Sequence, residues 1–115
     1  MNIKDILMLD CRDDKNKEKI QSVLRKIKNF SEYDKVPIEM LEKFVFAACK
    51  KYEICVQYMM FPNHARGRIY YSCSVKREDT EEWVGSVNAV EVYEVFAKVA
   101  ILIYAVVKKG EIPKR

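Results

Sequence analysis

Apolar residues recur along this chain with two different periods, which divide it into helical and extended segments. Asp13 and Asp14 suit a helix start, and the spacing that follows (i, i+3, i+4, i+7) predicts an amphipathic helix. Its apolar positions are Ile20, Val23, Leu24, Ile27 and Phe30. A second helix is predicted from Pro37, a residue suited to the first turn, to Tyr52. The segment before residue 12 fits either a short helix or an edge strand.

From Ile54 the period changes to two, which is typical of β-strands. Residues 54–61 form the first predicted strand, residues 68–76 the second, and residues 82–88 a short third. The stretches PNHARG and KREDTE between them carry turn-forming residues. The economical arrangement is a three-stranded antiparallel meander.

The last predicted helix, residues 90–109, is apolar on nearly all sides. Glu91, Glu94 and Lys98 fall on one narrow stripe, and such a helix has more apolar surface than one sheet can cover. Either the first two helices cover the rest or a second subunit does. We expect a homo-oligomer with an interface at Val95, Val99, Leu102 and Val106. The charges in its first half argue against a membrane span.

Together these elements predict an α+β fold in a single domain of residues 1–115: two N-terminal helices, a three-stranded antiparallel β-meander and a long apolar C-terminal helix. Half of the residues are hydrophobic and a third are charged, as in ordinary globular chains. The N-terminus carries acids where a signal peptide needs basic residues, so we expect a cytoplasmic protein with reduced thiols.

Positive charge is concentrated in the predicted hairpin, although the net charge of the whole chain is only +4. Residues 66–77 contain no acid. Tyrosine can stack on a base while lysine and arginine hold phosphates, so this segment is a candidate anion or nucleotide surface. Its candidate residues are His64, Arg66, Arg68, Tyr70, Lys76 and Arg77. The alternative is an ordinary solvent-facing strand, for which tyrosine has good propensity.

No catalytic or metal-binding constellation is evident. The four cysteines lack zinc-site spacing and there is one histidine, so no metal or cofactor is predicted. We expect the cysteines to pack as small apolar residues. His64 beside Arg66 and Arg68 suggests a phosphodiesterase, but an exposed hairpin tip explains the same residues. We predict that the protein is not an enzyme.

Two aromatic residues are candidate contacts for a partner. Phe46 falls on the charged face of the second helix, between Glu42 and Lys50, where a lone surface apolar residue would also be ordinary. Trp83 lies in the third strand and fits either the core or an interface.

The C-terminal half, from Tyr71 through EWVGSVNAVEVYEVFAK to Lys109, resembles small accessory proteins of phages and prophages. These often join a short antiparallel sheet to a helix with an E-x-x-A-K stripe, here Glu94, Ala97 and Lys98. Some such proteins inhibit bacterial immunity, including anti-CRISPR proteins and sponges for cyclic nucleotide signals. The resemblance implies a non-enzymatic inhibitor or sequestering protein that binds a host defence protein or a small anionic nucleotide. The alternative is a nucleic-acid-binding module that uses residues 66–77.

Overall fold

The computed structural model describes residues 3–63, 68–78 and 83–108, and it has the predicted α+β class. The helices are α1 (Ile3–Leu7), α2 (Asp14–Leu24), α3 (Ile38–Tyr52) and α4 (Val92–Lys108). The strands are β1 (Ile54–Asn63), β2 (Arg68–Arg77) and β3 (Trp83–Ala89), in the antiparallel order β1-β2-β3. The segment that the sequence left open is therefore a helix, α1.

Helix α2 begins where the sequence predicts but ends earlier. The Asp13 carboxylate accepts a hydrogen bond from the Lys15 backbone N–H at 2.9 Å, which caps the helix. The chain leaves α2 at Arg25, whose guanidinium donates to the Asp34 carbonyl at 2.7 Å. Ile27 and Phe30 are still buried, because a short 3-10 turn at Lys28–Phe30 carries them back to the core.

A single residue joins α3 to β1. Glu53 has φ 52° and ψ 51°, a left-handed conformation that commonly ends helices, and its N–H donates to the Cys49 carbonyl. Its own carbonyl accepts from the Glu78 N–H at 2.9 Å, where β2 ends. The base of the hairpin is thereby tied to the end of α3.

Helix α4 lies at the centre of the molecule. It packs on β2 and β3 on one side, and α1, α2 and α3 contact its other sides. The predicted interface residues are consequently buried within the single chain, each at most 7% exposed: Val95, Val99, Leu102 and Val106. The prediction that they form an oligomer interface is wrong, because three helices supply the cover for which a second subunit was invoked. No helix in the part of the chain that the structure describes is long and apolar enough to cross a membrane.

The close contact between α4 and the sheet depends on Gly85. A Cβ atom at this position would lie 3.1 Å from Leu102 Cδ2 and 3.3 Å from Leu102 Cδ1. These distances are shorter than ordinary carbon–carbon contacts. Glycine in β3 therefore lets the α4 side chain rest directly on the strand backbone.

Candidate functional site

The two faces of the sheet have different environments. On the face toward α4, Cys73 and Val75 of β2 and Val87 and Ala89 of β3 are buried. On the other face, the described side chains are exposed or half-exposed. They are Cys55, Gln57 and Met59 of β1, Ser72, Ser74 and Lys76 of β2, and Trp83, Ser86 and Asn88 of β3. We call this second surface the open face.

Lys76 and Trp83 are cross-strand partners at one end of the open face. Regular alternation from Gly85 would place Trp83 on the α4 side, but the pairing shifts between Val75 and Lys76 and leaves Val84 between two paired positions. Such a bulge re-aims the side chains beyond it. Trp83 is accordingly 63% exposed, which corrects the reading of it as a core residue.

At the strand positions that the structure describes, the open face carries cationic, hydroxyl and amide groups but no carboxylate. By register, its strand positions include Arg68 and Tyr70 of β2, with Tyr70 opposite Phe61 of β1. No strand position on this face, including these, is Asp or Glu. An aromatic residue opposite a lysine, among strand positions without Asp or Glu, is suited to a ligand that combines a flat base with negative charge.

The structure separates some of the residues that the sequence grouped as an anion site. His64 and Arg66 lie outside the described residues. Lys76 is on the open face, whereas Arg77 pairs with Ile54 and falls on the α4 side of the sheet, because successive strand residues alternate between faces. Arg77 therefore does not join Lys76, and the candidate set on the open face is Arg68, Tyr70 and Lys76 with Trp83.

Phe46 lies on a different surface, and its predicted exposure is confirmed. It is 69% exposed on α3, and the Lys50 ammonium lies 5.6 Å from its ring centroid. It borders a groove of about 630 Å³ between α3 and β1. Tyr58 and Phe96 also line the groove, with their ring centroids 4.8 Å apart.

Sequence reasoning missed the buried polar groups around the start of α4. The stripe residues Glu94 and Lys98 lie inside the protein and form an ion pair of 2.8 Å. Nearby, the Tyr93 hydroxyl accepts a hydrogen bond from Gln21 Nε2 at 2.8 Å and donates to the Val36 carbonyl at 2.5 Å. The available signal was the i, i+4 spacing of opposite charges in an otherwise apolar helix, which favours internal pairing.

The cysteines differ in environment, and all four are free thiols. Cys11 and Cys73 are buried, and burial raises the pKa of each thiol to about 12. Cys49 is half-buried, and burial raises its pKa as well. Cys55 is exposed on the open face, so the expectation that all four pack as apolar residues is wrong for this one.

Comparison with known proteins finds no matching family model, no similar curated protein and no similar solved structure. Among the residues that the structure describes, no group of three or more His, Cys, Asp or Glu side chains could hold a metal ion.

Proposed function

We propose that this chain is a non-enzymatic binding protein whose open face takes a ligand with a nucleobase and a phosphate. The observation that carries this proposal is the exposed Lys76–Trp83 pair on a face whose described strand positions hold no Asp or Glu. Stacking of one base on an aromatic side chain contributes about 1–3 kcal/mol. Lys76 supplies a charge for the phosphate, and the hydroxyls of Ser72 and Ser74 supply further hydrogen bonds.

In its specific form, the proposal is a phage-type inhibitor that acts in the host cytoplasm by sequestering a small anionic nucleotide signal. The alternative is a nucleic-acid-binding module, in which the same surface with residues 66–77 holds one segment of a strand. Both forms use the same chemistry, a base stacked on Trp83 and a phosphate near Lys76. They differ in whether the ligand is free or part of a polymer.

A second candidate is inhibition through contact with a host defence protein. The observation that favours it is Phe46, whose large exposed ring borders the groove between α3 and β1. Exposed aromatic residues beside apolar grooves are frequent anchors of protein interfaces. A homo-oligomer stays a prediction, and it has to use surfaces other than the buried residues of α4.

Trp83 is the single tryptophan of the chain, so its fluorescence reports directly on the open face. We would titrate the protein at low salt with a cyclic dinucleotide, adenosine monophosphate, an eight-nucleotide single-stranded RNA and ribose 5-phosphate. Stacking predicts quenching by the three base-containing probes and little change with ribose 5-phosphate. Quenching by ribose 5-phosphate alone, or by none of the probes, would reject the proposal.

Variants then test the geometry by calorimetry. Trp83→Ala should weaken binding at least about fivefold, since stacking contributes 1 kcal/mol or more. Lys76→Ala should also weaken it, whereas the matched control Lys43→Ala, an exposed lysine on α3, should not. Equal losses from Lys76→Ala and Lys43→Ala would indicate bulk charge attraction and contradict a defined site.

Salt dependence separates the two ligand sources. A strand with several phosphate contacts loses affinity steeply with added salt, with a slope of about −0.7 per contact. A small signal bound at one phosphate gives a shallow slope and tighter binding of the dinucleotide than of the RNA. Recovery of unchanged dinucleotide after long incubation tests the non-enzymatic part of the proposal, because a phosphodiesterase would cleave it.

A further inference from the structure

A cleft lies between α2, the segment before α3 and the start of α4, and acidic residues outnumber basic residues in its lining. Its volume is about 400 Å³, within the range of small-molecule sites. The acidic residues that line it are Asp14, Glu18, Asp34, Glu91 and Glu94, against the two lysines Lys17 and Lys35. We call it the α2–α4 cleft.

Glu94 gives this cleft an acceptor without a donor. Its side chain is 5% exposed, and its Oε1 atom pairs with Lys98 Nζ at 2.8 Å. Its Oε2 atom is buried and has no hydrogen-bond partner among the described residues. Besides Lys98, the weakly donating Cys11 thiol lies near this carboxylate, whose charge helps to raise the thiol pKa. Nearly all buried polar groups in proteins have a partner, so Oε2 can take a stronger donor from a ligand.

The outer part of the cleft has an excess of negative charge. Asp14 pairs with Lys17 at 3.7 Å, and Glu18 pairs with Arg25 at 2.9 Å. Within the part of the chain that the structure describes, Asp34 and Glu91 have no ion-pair partner within 4 Å. Two rim carboxylates and the inner Glu94 oxygen are thus available to a cation.

One wall of the cleft already holds an ammonium group of the chain. Lys35 Nζ lies 4.8 Å from the centroid of the Tyr93 ring, a cation–π geometry. The ring is fixed by the bonds of its hydroxyl to Gln21 and to the Val36 carbonyl, and Gln21 Oε1 accepts from the Val36 N–H at 3.0 Å. This wall therefore suits a positively charged nitrogen without rearrangement of the tyrosine.

We infer that the α2–α4 cleft binds an organic cation, an alkylammonium or guanidinium group with at least two N–H donors. Glu94 Oε2 is the inner acceptor, Asp34 and Glu91 hold the charge at the rim, and the bound cation replaces the exposed Lys35 ammonium on the Tyr93 ring. A linear diamine carries two ammonium groups, one for the inner carboxylate and one for the rim. None of the residues that line this cleft belongs to the open face, so the two sites can be tested separately.

The test is isothermal titration of the full chain at low ionic strength with 1,4-diaminobutane, ethylguanidinium and, as a neutral isostere, 1,4-butanediol. Titration with either cation should give a binding heat that saturates, and titration with the diol should give none. The cation that binds more tightly shows whether the cleft prefers an alkylammonium group or a guanidinium group. Saturable binding of the diol, or of neither cation, would overturn the inference.

Rim variants keep the test independent of folding, because Asp34 and Glu91 are exposed. The double change Asp34→Asn and Glu91→Gln should weaken diamine binding about tenfold or more, as loss of charged hydrogen bonds implies. Glu39→Gln, an exposed acid of α3, is the matched control and should leave binding unchanged. Equal affinities of the rim variant and the control would mean that a bound water satisfies Glu94, and the inference would fail.

Discussion

Lys98 Nζ lies 2.8 Å from Glu94 Oε1 inside the protein. Both residues belong to α4, which contacts the other three helices and two of the strands. The same ammonium donates to the Leu9 carbonyl at 2.8 Å and to the Asn88 carbonyl at 3.3 Å. One side chain of α4 therefore connects the segment after α1 with the end of β3. The Glu94 Oε2 atom has no hydrogen-bond partner among the described residues, and it is the inner acceptor of the cation site proposed above.

Removal of one member of this pair should be far more damaging than removal of both. Lys98→Met leaves the Glu94 carboxylate buried without its counter-charge, and we expect a loss of about 3–5 kcal/mol in the free energy of unfolding. The double change Glu94→Leu and Lys98→Met removes both charges and should recover most of that loss. Urea denaturation of the two single variants and the double variant measures the coupling. Additive losses would show that the pair is not coupled.

Gly85→Ala should destabilise the protein because the new methyl group meets Leu102. Leu102 has to move by a few tenths of an ångström, so we expect a loss of about 1 kcal/mol, at the low end for overpacking. Ser86→Ala, at the next and exposed position of β3, is the control and should be nearly neutral. Gly85→Val should cost more than Gly85→Ala, and the reverse order in urea denaturation would contradict this packing.

Stability should fall as the pH rises above about 9. The pKa of the Cys11 and Cys73 thiols is raised to about 12 in the folded protein, against 9.0 for a free thiol. Between these values the unfolded chain binds fewer protons than the folded chain, so stability decreases with pH. The contribution of these two thiols to stability is fully present below pH 9 and is lost as the pH approaches 12.

Denaturation in urea at pH 7.5 and pH 10 measures this loss, and Cys73→Ala should reduce the difference between the two pH values. Cys55→Ala should not, because Cys55 is exposed. The same difference in all three proteins would mean that the buried thiols are not its cause.

Polar substitution in α4 should unfold the chain and not merely separate subunits. Val99 is fully buried, and Val99→Asp places an unpaired charge in the core. We expect loss of the cooperative thermal transition in circular dichroism. The opposite result would be an oligomeric native protein and a folded, monomeric Val99→Asp variant in native mass spectrometry. That result would support an oligomer interface on α4.

Phe30 and Phe46 should differ in their contribution to stability, because one is buried in the core and the other is exposed. Phe30 is almost fully buried and packs edge to face on Phe44 with ring centroids 5.5 Å apart, so Phe30→Ala should cost about 3–5 kcal/mol. Phe46→Ala should change stability by no more than about 0.5 kcal/mol, because its ring is exposed. A large loss from Phe46→Ala in thermal denaturation would show that the ring supports the fold and is not free for a partner.

Local patterning predicts most of this fold because the period of apolar residues decides helix or strand before any distant contact forms. The period-two stretch from Ile54 and the helical stripe of α3 both appear in the structure as predicted. What patterning misses depends on distant partners. At the end of α2, Arg25 bonds to the Asp34 carbonyl nine residues on, and the side of the sheet on which Trp83 lies depends on a shift in strand pairing.

In the candidate sites, too, local pattern predicts some residues and distant contacts determine the others. Lys76 and Tyr70 can be placed on one strand face from alternation alone, and that placement agrees with the register. Trp83 joins them only because the bulge reverses its side, which no local pattern encodes. The α2–α4 cleft brings together residues from Cys11 to Glu94, so its carboxylates are neighbours only in the folded chain.

The bond from Lys98 to the Leu9 carbonyl also bears on the order in which the protein can be built during translation. The ribosome synthesises α1 before α4, yet α1, α2, α3 and two strands all contact α4. The earlier segments therefore emerge before the helix that buries their apolar residues, and those residues stay exposed until α4 is available. We expect nascent chains that stop before α4 to be targets for chaperones, and packing of the earlier helices and strands to be completed only after α4 has emerged.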